Sequence, residues 1–211
     1  MGRFKHIVLV SGALIATVAI VGPAFAWGHY WTHQGDWQHS EQRWHEKHYY
    51  RRHGHGGPVH PLSQALPNPR LTPGVTNPAV TQANIRSTIC VRGYAQSIRP
   101  PESYTERLKR EQTREYGYKD RKLWHYEEDH LIALSVGGSP TNPKNLWPQP
   151  HKVVGGWGSY AKDRLESQLH WLVCHRGLAL ATAQRALAHD WIASYKKYLG
   201  PVPNNHRLHW H

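Results

Sequence analysis

The sequence predicts an α+β domain, a small antiparallel hairpin embedded in a mainly helical body, preceded by an export signal and a flexible arm. Three observations lead there. An apolar run near the N-terminus ends in a small-residue triplet, a long His-, Trp- and Pro-rich stretch with few aliphatic residues follows, and the remaining chain sets helix-period segments around two short strand-like ones joined by a glycine turn. With 211 residues, one ordinary domain with tails is expected and a second large one is not. The expected division is a signal peptide over 1–26, an arm over 27–71, the domain over 72–200 and a tail over 201–211.

The first segment opens with Arg3, Lys5 and His6, runs apolar over 7–21 and reaches Ala24-Phe25-Ala26, the order of a secretory signal with cleavage after Ala26. The alternative is a retained inner-membrane anchor, because the run sits at the short edge of the roughly 17 to 25 residues that span a bilayer. Cleavage would place the mature chain in the periplasm or outside the cell, with no stable membrane insertion.

The arm begins with a stretch dominated by His, Trp, Tyr, Gly and Gln, including Trp31, His33, Trp37, His39, Trp44, His45, His48, His53 and His55. Such a composition buries too little aliphatic surface to offset the entropy of ordering, so a flexible spacer is expected. Loose transition-metal binding through the imidazoles is the alternative. Prolines at 58, 61, 67, 69, 73 and 78 then favour an extended linker, and the domain is expected to start near 72–79.

Within the domain, Ser103 with Glu106 fits a capping box and Gly117 a stop, with Lys109, Arg110 and Arg114 exposed for phosphate contact. Ala161, Leu165, Leu169, Leu172 and Val173 recur at helical spacing over 159–174, and Gly177 ends that helix. A last helix is expected over 179–199, with Ala183, Leu187, Trp191 and Tyr195 on one face. The only two cysteines, Cys90 and Cys174, are expected to pair if the chain is exported, the other reading being two buried thiols.

The most informative segment is 126–147, Tyr-Glu-Glu-Asp-His-Leu-Ile-Ala-Leu-Ser-Val-Gly-Gly-Ser-Pro-Thr-Asn-Pro-Lys-Asn-Leu-Trp. An acid-His pair leads into an apolar strand, Gly137-Gly138 and Asn142-Pro143 supply turns, and an Asn-led strand follows. Over about 124–175 the chain resembles the HNH endonucleases, whose signature is an Asp-His pair, a Gly-Gly turn, an Asn-Leu-Trp strand and a helix; more broadly 72–198 looks like small exported bacterial HNH-like proteins. The resemblance implies a ββα-metal (HNH) core.

It also implies roles. His130 would take a proton from the attacking water, Asp129 would hold a metal ion, and Asn145 would tie the loop to the His-bearing strand and orient the imidazole. Adjacent strand residues point oppositely, so Asp129 and His130 need a local bend to share one site. The helix position that usually supplies a further ligand is out of ordinary register here. The candidates are Asp163, preferred, then Glu166, His170 and His151. Lys162 is a candidate phosphate contact. One divalent ion is implied, magnesium or manganese for a carboxylate set, zinc or nickel if an imidazole joins. The Cys-x-x-Cys knuckles of many relatives are missing, and a Cys90–Cys174 bridge would take their place.

A formal charge of +12 makes polyanions the expected partners but does not separate nucleic acid from envelope polymers or lipid headgroups. The expected activity is metal-dependent hydrolysis of DNA, with RNA as an alternative, through phosphate contacts and with little sequence specificity. The competing expectation is a non-enzymatic exported protein that binds metal or nucleic acid on a degenerate scaffold of the same kind.

Overall fold

The computed structural model describes residues 57–201 and 203, all within one unit, Gln42–His211. The signal-peptide expectation, most of the arm and nearly all of the tail lie outside the described residues. In chain order the elements are α1 (Tyr94–Ser97), α2 (Glu102–Glu115), β1 (Tyr126–His130), β2 (Leu146–Pro150), α3 (Ser159–Arg176), α4 (Leu180–Ala188) and α5 (Trp191–Tyr198), with short 3-10 turns between them. The architecture is α+β. Among the described residues no helix is long and apolar enough to cross a membrane.

β1 and β2 pair antiparallel, with Asp129 opposite Trp147 and His130 opposite Leu146. β2 carries Pro148 and Pro150, which donate no hydrogen bond and are tolerated because the sheet has only two strands. The first strand ends at His130, whereas the sequence suggested that it ran on through the apolar residues after it. Asn145 explains the difference, because its side chain takes both the N–H and the C=O of Ile132 and lifts the chain off the ladder. Gly137 turns the loop at φ +77°, and Gly138 has no room for a side chain, since a Cβ there would lie 1.7 Å from the Ile132 carbonyl oxygen.

α3 forms as its spacing predicts, with Leu165, Leu169 and Val173 buried, and Gly177 ends it in a left-handed conformation. They pack with Ala183 and Leu187 of α4 and with Trp191 and Tyr195 of α5. The single last helix is instead two, because Asp190 caps a new start by accepting from Ala193 N at 2.9 Å. The predicted disulfide is present, tying Cys90 to Cys174 near the end of α3 with a Cα–Cα distance of 5.6 Å.

Two further expectations change. α2 starts at Glu102 after Pro101 without a capping box, and Glu106 pairs with Lys109 at 2.5 Å instead. Lys109 is accordingly buried and also reaches the Tyr126 carbonyl at 3.3 Å, while Arg110 and Arg114 stay exposed. The second change is larger, since the Pro-rich segment is part of the fold. His60 bridges to Val153, Thr72 Oγ1 donates to the Leu146 carbonyl at 3.1 Å, Gly74 N donates to the Lys144 carbonyl at 3.0 Å, and Trp191 Nε1 donates to the Ala65 carbonyl at 2.9 Å. Prolines remove their own donors only, and the ties run through the backbone and side chains of the residues between them.

Candidate metal centre

Strand β1 and helix α3 bring the acidic groups together. One ligand oxygen each from Asp129, Asp163 and Glu166 lies within 4.8 Å of the other two. Asp163 and Glu166 stand three residues apart on a helix, on neighbouring positions of one face, and that face packs on the strand carrying Asp129. The preferred helix position, Asp163, is therefore beside Asp129, and Glu166, a further candidate, joins it. The other two candidates do not, because His170 Nε2 bonds to the Ile89 carbonyl at 2.8 Å and His151 Nδ1 meets Ser159 Oγ at 3.0 Å.

Lys162 occupies an unexpected place. It is fully buried rather than offered to a phosphate, its Nζ lying 2.6 Å from Asp129 Oδ2, in contact with Glu166 and 2.8 Å from the His130 carbonyl oxygen. The contact with Asp129 lacks hydrogen-bond alignment and is an ion pair by distance. Burial works against the lysine charge, but Asp129 and Glu166 more than offset it and hold its pKa above the ordinary value. The ammonium is thus a resident counter-ion of the cluster.

One cation does not satisfy this many carboxylates. Burial, with Lys162 opposing and Asp129 reinforcing, pushes Glu166 up to about 7. Asp163 is pushed well above the usual carboxylate range by burial and by Glu127, Glu166 and Asp129. Glu127, which sequence reasoning passed over, is raised by burial and by Asp129, with Arg99, Lys162 and Lys109 acting against the shift. With its pKa at about 7, Glu166 is part-protonated near neutrality. Three carboxylates with no imidazole among them would suit a hard divalent ion such as magnesium or manganese better than zinc or nickel.

His130 follows Asp129 at the end of β1, where the ladder register runs through both residues without a bulge, and it is only 5 % exposed. Its Nε2 lies 2.9 Å from the Pro140 carbonyl oxygen. A carbonyl only accepts, so Nε2 carries the proton and Nδ1 keeps its lone pair. Burial lowers the pKa to about 4, with the Pro140 bond and Asp129 raising it and Arg99 and Lys162 lowering it. The ring is therefore neutral at physiological pH. The loop that supplies Pro140 is fixed by Asn145, which is fully buried; its Nδ2 donates to the carbonyls of Ile132 at 3.0 Å and Ser139 at 2.9 Å, and its Oδ1 accepts from the amides of Ile132 at 3.0 Å and Val75 at 3.2 Å. Asn145 is thus a positioning residue, one carbonyl removed from the His130 ring.

The three carboxylates could hold a divalent ion, and the residue after Asp129 carries a neutral imidazole. Comparison with known proteins adds no relative: no family model, no curated protein and no solved structure matches the chain.

Proposed function

We propose that the chain is a divalent-metal-dependent endonuclease of the HNH (ββα-metal) type, hydrolysing phosphodiester bonds of DNA, and of RNA as a second substrate, with little sequence specificity and outside the cytoplasm. The observation that carries this reading is the meeting of Asp129 with Asp163 and Glu166 while the next residue, His130, is held neutral with Nδ1 unprotonated. Asp129, Asp163 and Glu166 would hold the ion, which when bound polarises the phosphoryl oxygens and acidifies water.

His130 then accepts a proton from water at Nδ1. At a pKa of about 4 the ring is neutral at working pH and so available as a proton acceptor. Asn145 keeps the Pro140 carbonyl on Nε2 and so fixes the tautomer. Arg107, Arg110 and Arg114 on the exposed side of α2 are the phosphate contacts in place of Lys162, so binding should weaken steeply with salt. The disulfide supports export, because such bridges persist in oxidising compartments.

The test is nicking of supercoiled plasmid by the full chain with magnesium or manganese. Cleavage that chelation stops, and that His130→Ala abolishes while DNA binding survives, is expected. Wild-type turnover in His130→Ala would overturn the assignment.

One observation favours a second reading. Lys162 already places a cation against Asp129 and Glu166, which suits a nucleic-acid-binding protein on a degenerate scaffold. That reading requires salt-sensitive DNA binding with no nicking under any divalent ion.

A further inference from the structure

The positive surface of α2 continues into the loop that leads to β1, and that loop ends on an exposed indole. Arg121 Nη1 donates to the Thr113 carbonyl at 3.1 Å and Tyr118 N to the same carbonyl at 3.2 Å, so the loop is tied to the last turn of α2. Lys119, Arg121 and Lys122 are exposed there. Together with Arg110 and Arg114 they outnumber Glu111 and Glu115, the acids of the second half of α2. Trp124, two residues on, is 46 % exposed.

The indole stands on a fixed turn. Trp124 is the middle residue of the 3-10 turn Leu123–His125, and His125 N donates to the Lys122 carbonyl at 2.9 Å. Asp120 braces the same turn, its Oδ1 accepting from Lys122 N at 3.0 Å, its Oδ2 contacting His125 Nδ1 and its carbonyl accepting from the Tyr126 hydroxyl at 3.2 Å. That acid is thereby turned onto the loop itself. The Trp124 ring meets His125 edge-on, centroids 5.7 Å apart, and Lys122 Nζ stands 5.9 Å from the indole centroid. A ring already ordered in this way loses little freedom when a flat partner stacks on it.

We propose that Trp124, with Arg110, Arg114, Lys119 and Lys122 around it, forms a platform for single-stranded nucleic acid, the indole stacking an unpaired base while the cations hold the flanking phosphates. Every base has a π face, so stacking tolerates any sequence, but in a duplex those faces are taken up by neighbouring pairs; a stacking ring therefore selects unpaired strands. A lipid surface also accepts tryptophan and lysine, yet it needs a broad apolar face, and this strip offers one ring among cations. β1 lies between Trp124 and His130, so the stacked base sits away from the phosphate under attack and the platform selects strands rather than taking part in hydrolysis. The inference rests on nucleic acid being the ligand, as in the proposed function, but not on its cleavage.

Fluorescence anisotropy of the full chain tests this, with a labelled single-stranded DNA, a strand of equal length built of abasic units, and the corresponding duplex, all in chelator so that nothing is cut. Trp124→Ala, with folding checked by circular dichroism, should weaken the single strand by about 5- to 150-fold and leave the duplex unchanged. The abasic strand should bind the wild type as weakly as the complete strand binds Trp124→Ala, and Trp124→Phe should recover most of the loss. Arg114→Ala should weaken single strand and duplex together and flatten the salt dependence. Single-strand binding that is unchanged in Trp124→Ala, or lowered equally with the duplex, overturns the proposal and leaves the nuclease reading standing, whereas a wild type that binds neither form overturns both. Loss of binding to anionic vesicles in Trp124→Ala, with both nucleic acids unaffected, also overturns it.

Discussion

Replacing Asn145 by alanine removes four hydrogen bonds at once, two donated to the carbonyls of Ile132 and Ser139 and two accepted from the amides of Ile132 and Val75. Residue 145 is fully buried, so water does not readily replace them. At about 1 kcal/mol net for each bond the loss comes to about 4 kcal/mol. That exceeds the usual cost of a point mutation and belongs to the class of broken buried networks. Asn145→Asp keeps the shape and both acceptor contacts but turns the amide group that faces Ile132 and Ser139 into an oxygen, so it should be no milder. Urea unfolding followed by circular dichroism reads both, with an unchanged m-value required for a clean comparison. A loss under about 1 kcal/mol in Asn145→Ala would refute the argument that this one side chain holds the loop off the β1 ladder.

Four other outcomes follow. Manganese affinity should rise with pH up to about 7, because the ion displaces the proton that Glu166 holds up to that pH; calorimetry should show roughly tenfold per unit where one proton is released. His130 has a lowered pKa, so its contribution to stability is complete above the unfolded value near 6.5 and is lost as pH falls toward about 4; relative to His130→Gln the wild type should lose about 3 kcal/mol across that window. Lys162→Met should tighten manganese binding while destabilising the metal-free protein above neutral pH, since it removes the buried cation from Asp129 and Glu166. Removing the Cys90–Cys174 bridge should cost about 2 to 5 kcal/mol in denaturant unfolding.

What could be read in the sequence was local. The hairpin segment, Asn145, the α3 period and the Asp163–Glu166 pair all follow from spacings shorter than two helical turns or one turn of chain, where backbone geometry alone decides proximity. The pairing of Cys90 with Cys174 was legible because no other cysteine competes. Long-range packing was not legible. Proline content argued for a linker over 58–78, yet Ala65 and Thr72 are buried because Trp191 and Leu146, both distant in sequence, meet them. Lys162 with Glu166 at i, i+4 reads as an ordinary solvated pair, and only the position of β1 over α3 drives the ammonium inward. The break before Trp191 did carry a signal, since Asp190 is a good N-cap, but the apolar period running through it masked the stop. The pair of His60 with Asp120 spans the arm and the domain and has no sequence pattern at all.

The account rests on a cation held by Asp129, Asp163 and Glu166, with a neutral His130 following Asp129 in the chain. Anomalous diffraction from crystals of the full chain grown with manganese tests it most directly. The account predicts one strong peak within bonding distance of all three carboxylates, with the Lys162 ammonium drawn away from Asp129. A map in which Lys162 keeps its contacts to Asp129 and Glu166 and no peak lies among the three would contradict it.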